Sequence, residues 1–198
     1  MSVGYNMSNY YDVNVKEYIE NTINCDMSFH YKKFLKYLPK TGKILDVGFG
    51  SGRDMIYFNL LGYDVEGIDT SIEFIKNMKS QGFVVSLMSV IEMNFKKKYD
   101  GIWACASLLH VKRGKLEEAI LKCINALKGN GILYCSFKYG DQEIEKDNRY
   151  FNYINEKIIN DIADRNDLNI IDLYYSNDVR MIRNNEKWIN IIFKSGKD

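Results

Sequence analysis

Asp46, Gly48, Gly50, Gly52 and Asp69 are the residues whose types and spacing could do chemistry. The first four sit in Ile44-Leu45-Asp46-Val47-Gly48-Phe49-Gly50-Ser51-Gly52, an apolar run that ends in an acid and a glycine loop. Asp69 ends a second apolar run, Val65 to Ile68. Roughly 20 residues separate loop and acid, the length of one strand–helix–strand unit in a nucleotide-binding sheet. A dinucleotide loop reads G-x-G-x-x-G, and its third glycine lets a helix N-terminus approach a pyrophosphate. Here Arg53 holds that place, and the third glycine comes one residue early at Gly52. Asp46 would repel a pyrophosphate and suit a cation. The glycines let the backbone pass close to a ligand, and Asp69 offers two acceptors to the hydroxyls of a ribose. S-adenosylmethionine (SAM) has an ammonium, a sulfonium, a ribose diol and no phosphate, and so satisfies these demands. Asp46 would act on its ammonium indirectly, by orienting loop amides and water. The competing readings are a plain strand end for Asp46 and a helix N-cap before Ile72 for Asp69.

The elements that must position these residues follow from periodicity. Apolar positions Met27, Tyr31, Phe34, Leu35 and Leu38 have helical spacing over Met27 to Leu38, broken by Pro39 to Gly42. Strands are predicted at 43–47, 63–68, 83–88, 99–104 and 132–137, with helices at 51–61, 71–81 and about 113–127 between them. Residues 139–151 read as a polar loop, 152–163 as a helix, 168–175 and 188–193 as the last strands, with a charged turn region at 177–186. The alternation implies an α/β fold: a doubly wound, Rossmann-like, seven-stranded and mostly parallel sheet covered on both faces. The last two strands lack an intervening helix and should form an antiparallel hairpin at one edge. Residues 1–14 are polar and tyrosine-rich and read as a mobile arm, with Tyr5, Tyr10 and Tyr11 able to shield a sulfonium.

At 198 residues, with neither a linker nor an internal repeat, the chain reads as one domain over 1–198. Its net charge of +1 argues against nucleic-acid binding by bulk electrostatics. Cys25, Cys105, Cys123 and Cys135 form no C-x-x-C pair. No secretory segment opens the chain, and no apolar stretch reaches about 18 residues. The expectation is a reduced, cytoplasmic protein with no membrane association. Neither H-E-x-x-H nor Cys/His ligand spacing suggests a metal, and no G-x-S-x-G marks a hydrolase.

Four segments together resemble the class I SAM-dependent methyltransferases. Asp46 to Gly52 is similar to their first motif, and Gly67-Ile68-Asp69-Thr70-Ser71 to the motif ending strand 2. Tyr99-Asp100-Gly101-Ile102-Trp103 resembles the fourth, and Leu127 to Leu133 the turn before strand 5. Within the class, the chain resembles small bacterial members grouped with tellurite-resistance or ubiquinone-type methyltransferases. The resemblance covers Tyr11 to Phe193. It implies a SAM site that includes Thr70 beside Asp69, the backbone of Cys105 and Ala106, and Tyr11 and Tyr18 folded over the cofactor. Ser89 stands where an acid often accepts the adenine amino group, which shifts adenine recognition to the backbone of Val90 and Ile91.

The acceptor side is expected beyond strands 4 and 5. His110 could serve as a general base, or else pack under the lid or cap the helix near Arg113. Lys138, Tyr139, Arg180 and Trp188 are expected to bound an acceptor pocket, with Arg149 and Arg183 nearby, which would suit an anionic or aromatic small molecule. The sequence thus points to methyl transfer from SAM to a small-molecule acceptor. Its rivals are an NAD oxidoreductase, disfavoured by Arg53 and Asp46, a SAM-binding protein without turnover, and methylation of RNA or protein.

Overall fold

Three helices precede the first strand: α1 (Ser8–Val13), α2 (Val15–Thr22) and α3 (Ser28–Leu35). Then follow β1 (Lys43–Val47), α4 (Arg53–Leu60), β2 (Asp64–Asp69), α5 (Ile72–Ser80), β3 (Val84–Leu87) and β4 (Tyr99–Ala104). A 3-10 turn at Leu108–His110 leads to α6 (Arg113–Ala126) and β5 (Leu127–Lys138). The chain continues through β6 (Glu143–Lys146), β7 (Arg149–Asn152), α7 (Glu156–Arg165), β8 (Asn169–Asn177) and β9 (Lys187–Lys194). This computed structural model describes residues 8–180 and 185–196. Tyr5 and Arg183 therefore lie outside the described residues.

The main sheet has seven strands in the order β3-β2-β1-β4-β5-β9-β8. The first five pair in parallel, and β9 runs antiparallel to both β5 and β8. The expected terminal hairpin thus closes the sheet. The chain starts outward from β1 to β3 and then reverses to β4, which places a switch point between β1 and β4. Open α/β sheets bind ligands at that crevice, beyond the carboxyl ends of the strands.

Alternating side chains build two cores. On one face Trp103 stacks on Tyr134 with centroids 3.9 Å apart, and Phe34 and Phe58 pack around them. On the other, α6 buries Leu116, Ala119, Ile120, Cys123 and Ala126, an apolar stripe with a 3.6-residue period, in one cluster with Leu45, Ile102 and Leu133. Each fully buried aliphatic side chain contributes about 1.5–3 kcal/mol.

Three expectations need correction. The polar stretch 139–151 is not a loop but contains the two-stranded β6–β7 hairpin. Asp147 and Asn148 both have positive φ, 51° and 55°, as a two-residue primed turn requires. The strands are short and charged, so alternation is hard to see, but Arg149 and Phe151 are buried. Secondly, the described part of the N-terminal arm is the helix α1, held by Asp12, whose carboxylate accepts from Ser71 Oγ at 2.5 Å. Thirdly, β5 starts five residues early, at Leu127. The turn at Lys128–Gly131 survives as an irregularity in its pairing with β4, with Asn130 at φ 64°. Among the described residues, no helix is long and apolar enough to cross a membrane, and no group of three or more His, Cys, Asp or Glu could hold a metal.

Candidate functional site

The loop between β1 and α4 forms the floor of the site. Gly48 has φ 70°, its N–H donates to Ile68 O at 2.7 Å, and a Cβ there would come within 2.5 Å of Ser107 Cβ. At Gly52, φ is 78° and a Cβ would meet Met78 Sδ at 2.1 Å, so this glycine lets α4 start directly over α5. Gly50 sends its N–H to Asp69 Oδ2 at 3.0 Å, while Ser71 N–H donates to Asp69 Oδ1 at 2.9 Å. Asp69 therefore joins the glycine loop to the N-terminus of α5, whose N-cap is Ser71 rather than Asp69. Burial raises the Asp69 pKa in spite of these bonds. Each carboxylate oxygen keeps a second lone pair for a ligand.

Two adjoining cavities lie over this floor. One, of about 720 Å³, is lined by Gly48, Gly50, Asp69, Thr70, Ser89 and Val90, and is roofed by Tyr11 and His110. The other, of about 750 Å³, is lined by Phe49, Arg53, Cys105, Ser136, Arg180 and Trp188 among others. Tyr18, Gly48 and Ala106 line both and form the neck between them. Ala106 adopts φ 50°, and its N–H donates to Ser136 Oγ at 2.9 Å. Cys105 is a thiol that burial pushes up to about 12, so it is no nucleophile at neutral pH.

Ile91 lines neither cavity; its N–H donates to Ser89 Oγ at 3.3 Å, and Ser89 N–H donates to Glu92 Oε2. The Val90 amide is left without a partner among the described residues.

His110 is fully engaged. A carbonyl only accepts, so the 2.7 Å contact to Tyr150 O puts the proton on Nδ1, and Nε2 accepts from Tyr11 O–H at 2.9 Å. Burial, then the charges of Arg149 and Lys138, push its pKa down to about 3. His110 therefore pins α1 over the cavity and has no ring nitrogen left for an incoming proton.

The expected acceptor set is divided by the structure. Arg180 and Trp188 line the second cavity. Lys138 and Tyr139 line neither cavity. Lys138 pairs with Glu186 at 2.7 Å and lies over the Phe151 ring, because β7 folds back across the end of β5. Tyr139 O–H donates to Glu156, and Lys187 lies about equally close to its ring and to that of Tyr175, at 4.1 and 4.0 Å. Arg149 covers the Tyr10 ring at 4.1 Å.

Sequence reasoning passed over several polar residues. Asp54 is buried where α4 meets the sheet. It pairs with Arg53 at 2.7 Å and accepts from Trp103 Nε1 at 2.8 Å and from Tyr31 O–H. Burial alone would raise its pKa, but the Arg53 charge and these bonds hold it below the usual value. His30, Ser136 and Asn190 also reach the second cavity. Their signal was a polar residue set in an apolar stripe: His30 among Met27, Tyr31 and Phe34, and Asn190 among the isoleucines of β9.

A SAM-like ligand fits what is present. Asp46 lies under the floor, 1% exposed and lining neither cavity, and its Oδ2 has no hydrogen-bond partner among the described residues. Burial and the nearby Asp54 charge raise its pKa well above normal. Such a carboxylate is stabilised by an incoming cation. The close approach at Gly48 and the acceptors of Asp69 fit a nucleoside with a free diol.

A β3-β2-β1-β4-β5 parallel core, a glycine loop after β1, an acid after β2 and a reversed strand next to β5 define the class I methyltransferase fold. The chain belongs to the TehB family: the sequence pattern of the family described as "Tellurite resistance protein TehB" matches residues 11–137. The protein named "Probable S-adenosyl-L-methionine-dependent methyltransferase TehB" from Haemophilus influenzae is 27% identical over 128 residues. That match covers 52% of this chain and 45% of the relative, so the chain spans about half the length of the curated relatives it matches. A similar solved structure is the Burkholderia thailandensis 1,6-didemethyltoxoflavin-N1-methyltransferase with bound 1,6-didemethyltoxoflavin and S-adenosylhomocysteine. Its TM-score is 0.80 at 15% identity, over 97% of this chain and 88% of that one. A SAM-dependent methyltransferase from Clostridium acetobutylicum gives 0.67 at 16% identity, over 96% and 97%. The [4+2]-cyclase SpnF gives 0.72 at 12% identity, over 96% and 95%. At these identities the likeness is one of fold, and a cyclase among the neighbours illustrates that this fold carries more than one chemistry.

Proposed function

We propose that this protein, acting as a single domain, is a SAM-dependent methyltransferase for a small-molecule acceptor. The observation that carries the reading is the paired cavity with its shared neck. One side offers a ribose acid and a glycine floor beside an orphaned buried carboxylate; the other is a partly open cleft of small-molecule size. When bound, SAM supplies a methyl group already activated on a sulfonium. Asp69 would hold the ribose diol, Val90 N–H the adenine edge, and Asp46 the ammonium side. Tyr11 and Tyr18 close the space above and exclude water.

The rest of the chain's task is alignment: holding an acceptor lone pair at the neck, in line with the leaving group. A base is needed only where the acceptor must lose a proton, and His110, with both nitrogens spent, is a positioning residue in this reading. The test is calorimetry with S-adenosylhomocysteine and NAD, followed by a radiolabelled methyl-transfer screen over metabolite pools, protein and RNA. Micromolar binding of S-adenosylhomocysteine, weak NAD binding and label in small molecules are expected. Tight NAD binding, or label confined to macromolecules, overturns the reading.

A further inference from the structure

The second cavity contains two guanidinium groups, and neither has charge to spare. Arg53 is held by Asp54 through Nε at 2.7 Å and Nη2 at 3.0 Å. Arg180 is held by Asp178 through Nε at 2.8 Å and Nη2 at 2.5 Å. Among the described lining residues, two arginines thus face two aspartates, each in a two-pronged pair. An anion entering here would gain two cations already neutralised and would be repelled by two buried carboxylates. His30 adds no charge, because burial and then the Arg53 charge push its pKa down to about 4.

The remaining polar groups are mostly spent too. Asn190 accepts from Tyr134 O–H at 2.8 Å and donates to Ser176 Oγ at 3.0 Å. Ser136 Oγ is taken by the Ala106 amide. Besides the hydroxyls of Tyr18 and Ser51 and the exposed Asn177 amide, two aromatic ring nitrogens are left. The His30 ring contacts Tyr174 O–H and Tyr134 O–H through Nδ1, at 3.0 and 3.5 Å, so its Nε2 has no partner among the described residues. Trp188 Nε1 lies beside the Asp178 carboxylate without a hydrogen bond of normal geometry. Both side chains are more than nine-tenths buried, at 5% and 8% exposure. Unpaired polar groups in such a place are costly unless a ligand satisfies them. Aromatic side chains share this lining: the Trp188 indole, Tyr134, which stacks on Trp103, and Phe49.

We propose that this cavity is a binding site for an uncharged, planar heteroaromatic molecule, with one polar edge on His30 Nε2 and a ring nitrogen or carbonyl on Trp188 Nε1–H. The inference rests on the methyltransferase reading, in which this ligand is the methyl acceptor. It replaces the anionic acceptor expected from the arginines and Lys138. Specificity then comes from hydrogen-bond complementarity, since an analogue lacking the polar edge leaves both buried groups unpaired.

The chain has two histidines, so imidazole NMR signals can be assigned from single variants. The protein, saturated with S-adenosylhomocysteine, is titrated with benzimidazole, 2-pyridone and hypoxanthine, and separately with benzoate and inorganic phosphate. The expected result is saturable movement of the His30 signals by at least one neutral ring, with His110 unmoved and neither anion active. Trp188→Phe keeps a smaller aromatic ring and removes the indole N–H, and should weaken that binding about fivefold to tenfold; His30→Ala should weaken it at least tenfold. Movement of His30 by benzoate or phosphate, or by none of the five probes, overturns the proposal. An unchanged affinity in Trp188→Phe overturns it even if His30→Ala fails to fold. Calorimetry of S-adenosylhomocysteine alone decides the cofactor reading separately: cofactor binding with a silent His30 defeats only this inference, and absent cofactor binding defeats the methyltransferase reading.

Discussion

Asp69→Ala should lower stability and cofactor affinity together, because its carboxylate serves the fold and the site at once. Truncation leaves the amides of Gly50 and Ser71 without the acceptors they have at 3.0 and 2.9 Å. An unsatisfied buried donor costs about 1–3 kcal/mol. Burial raises the Asp69 pKa, so releasing that charge from its site offsets part of the loss. A net cost of about 2–3 kcal/mol follows, or a fall in Tm of about 4–12 °C for a chain of this length. Losing the charge-assisted bonds to a ribose diol costs a further ~1.5–3 kcal/mol in binding, on the order of tenfold to a hundredfold in Kd. Asp69→Asn keeps one oxygen acceptor and should fall between wild type and Asp69→Ala in both measures. Scanning calorimetry gives Tm, and titration with S-adenosylhomocysteine gives Kd. Wild-type values of both in Asp69→Ala would refute the reasoning; a lower Tm with an unchanged Kd would leave the structural role and remove the ribose assignment.

Four further outcomes are expected. Gly48→Ala forces a left-handed φ on alanine and drives its Cβ to 2.5 Å from Ser107 Cβ, so cofactor binding should fall at least tenfold; an unchanged Kd by calorimetry would disprove the close approach. Tyr11→Phe breaks the bond to His110, and the first turns of the chain should be clipped faster by protease while bound to S-adenosylhomocysteine; equal cleavage rates would argue against a lid. Lys138→Ala removes a buried partner of Glu186 and should lower Tm while leaving cofactor affinity at wild type; a large loss of affinity would place Lys138 back in the site. Burial first, and nearby cations second, hold His30 and His110 neutral to about 4 and about 3, so neither imidazole should titrate by NMR between pH 8 and pH 5 in the folded protein. The unfolded chain takes up those protons near pH 6.5. The two histidines' share of stability is therefore complete above that value and is lost as pH falls from there toward the folded pKa values. A normal titration in the native state would contradict their burial.

Local pattern carried the parts of this protein that depend on neighbours in sequence. The apolar runs at Ile44 to Val47 and Val65 to Ile68, the glycines between them and the acids at their ends defined the parallel strands and the floor of the first cavity. They could do so because strand period, glycine torsion and strand-end chemistry are fixed within a few residues. The second cavity was decided by tertiary contacts alone. Whether an arginine is a free cation depends on who sits beside it, and Arg53 and Arg180 turn out to be neutralised by Asp54 and Asp178. Lys138 lies one turn of chain from the site in sequence, yet β7 covers it and Glu186 takes its charge. His110, the obvious base by type, is spent on a carbonyl 40 residues away and on a tyrosine 99 residues away, while His30, ordinary in sequence, keeps a free ring nitrogen in the cavity. Hydrogen-bond satisfaction and charge pairing are sums over spatial neighbours, and those neighbours come from elements far apart in the chain.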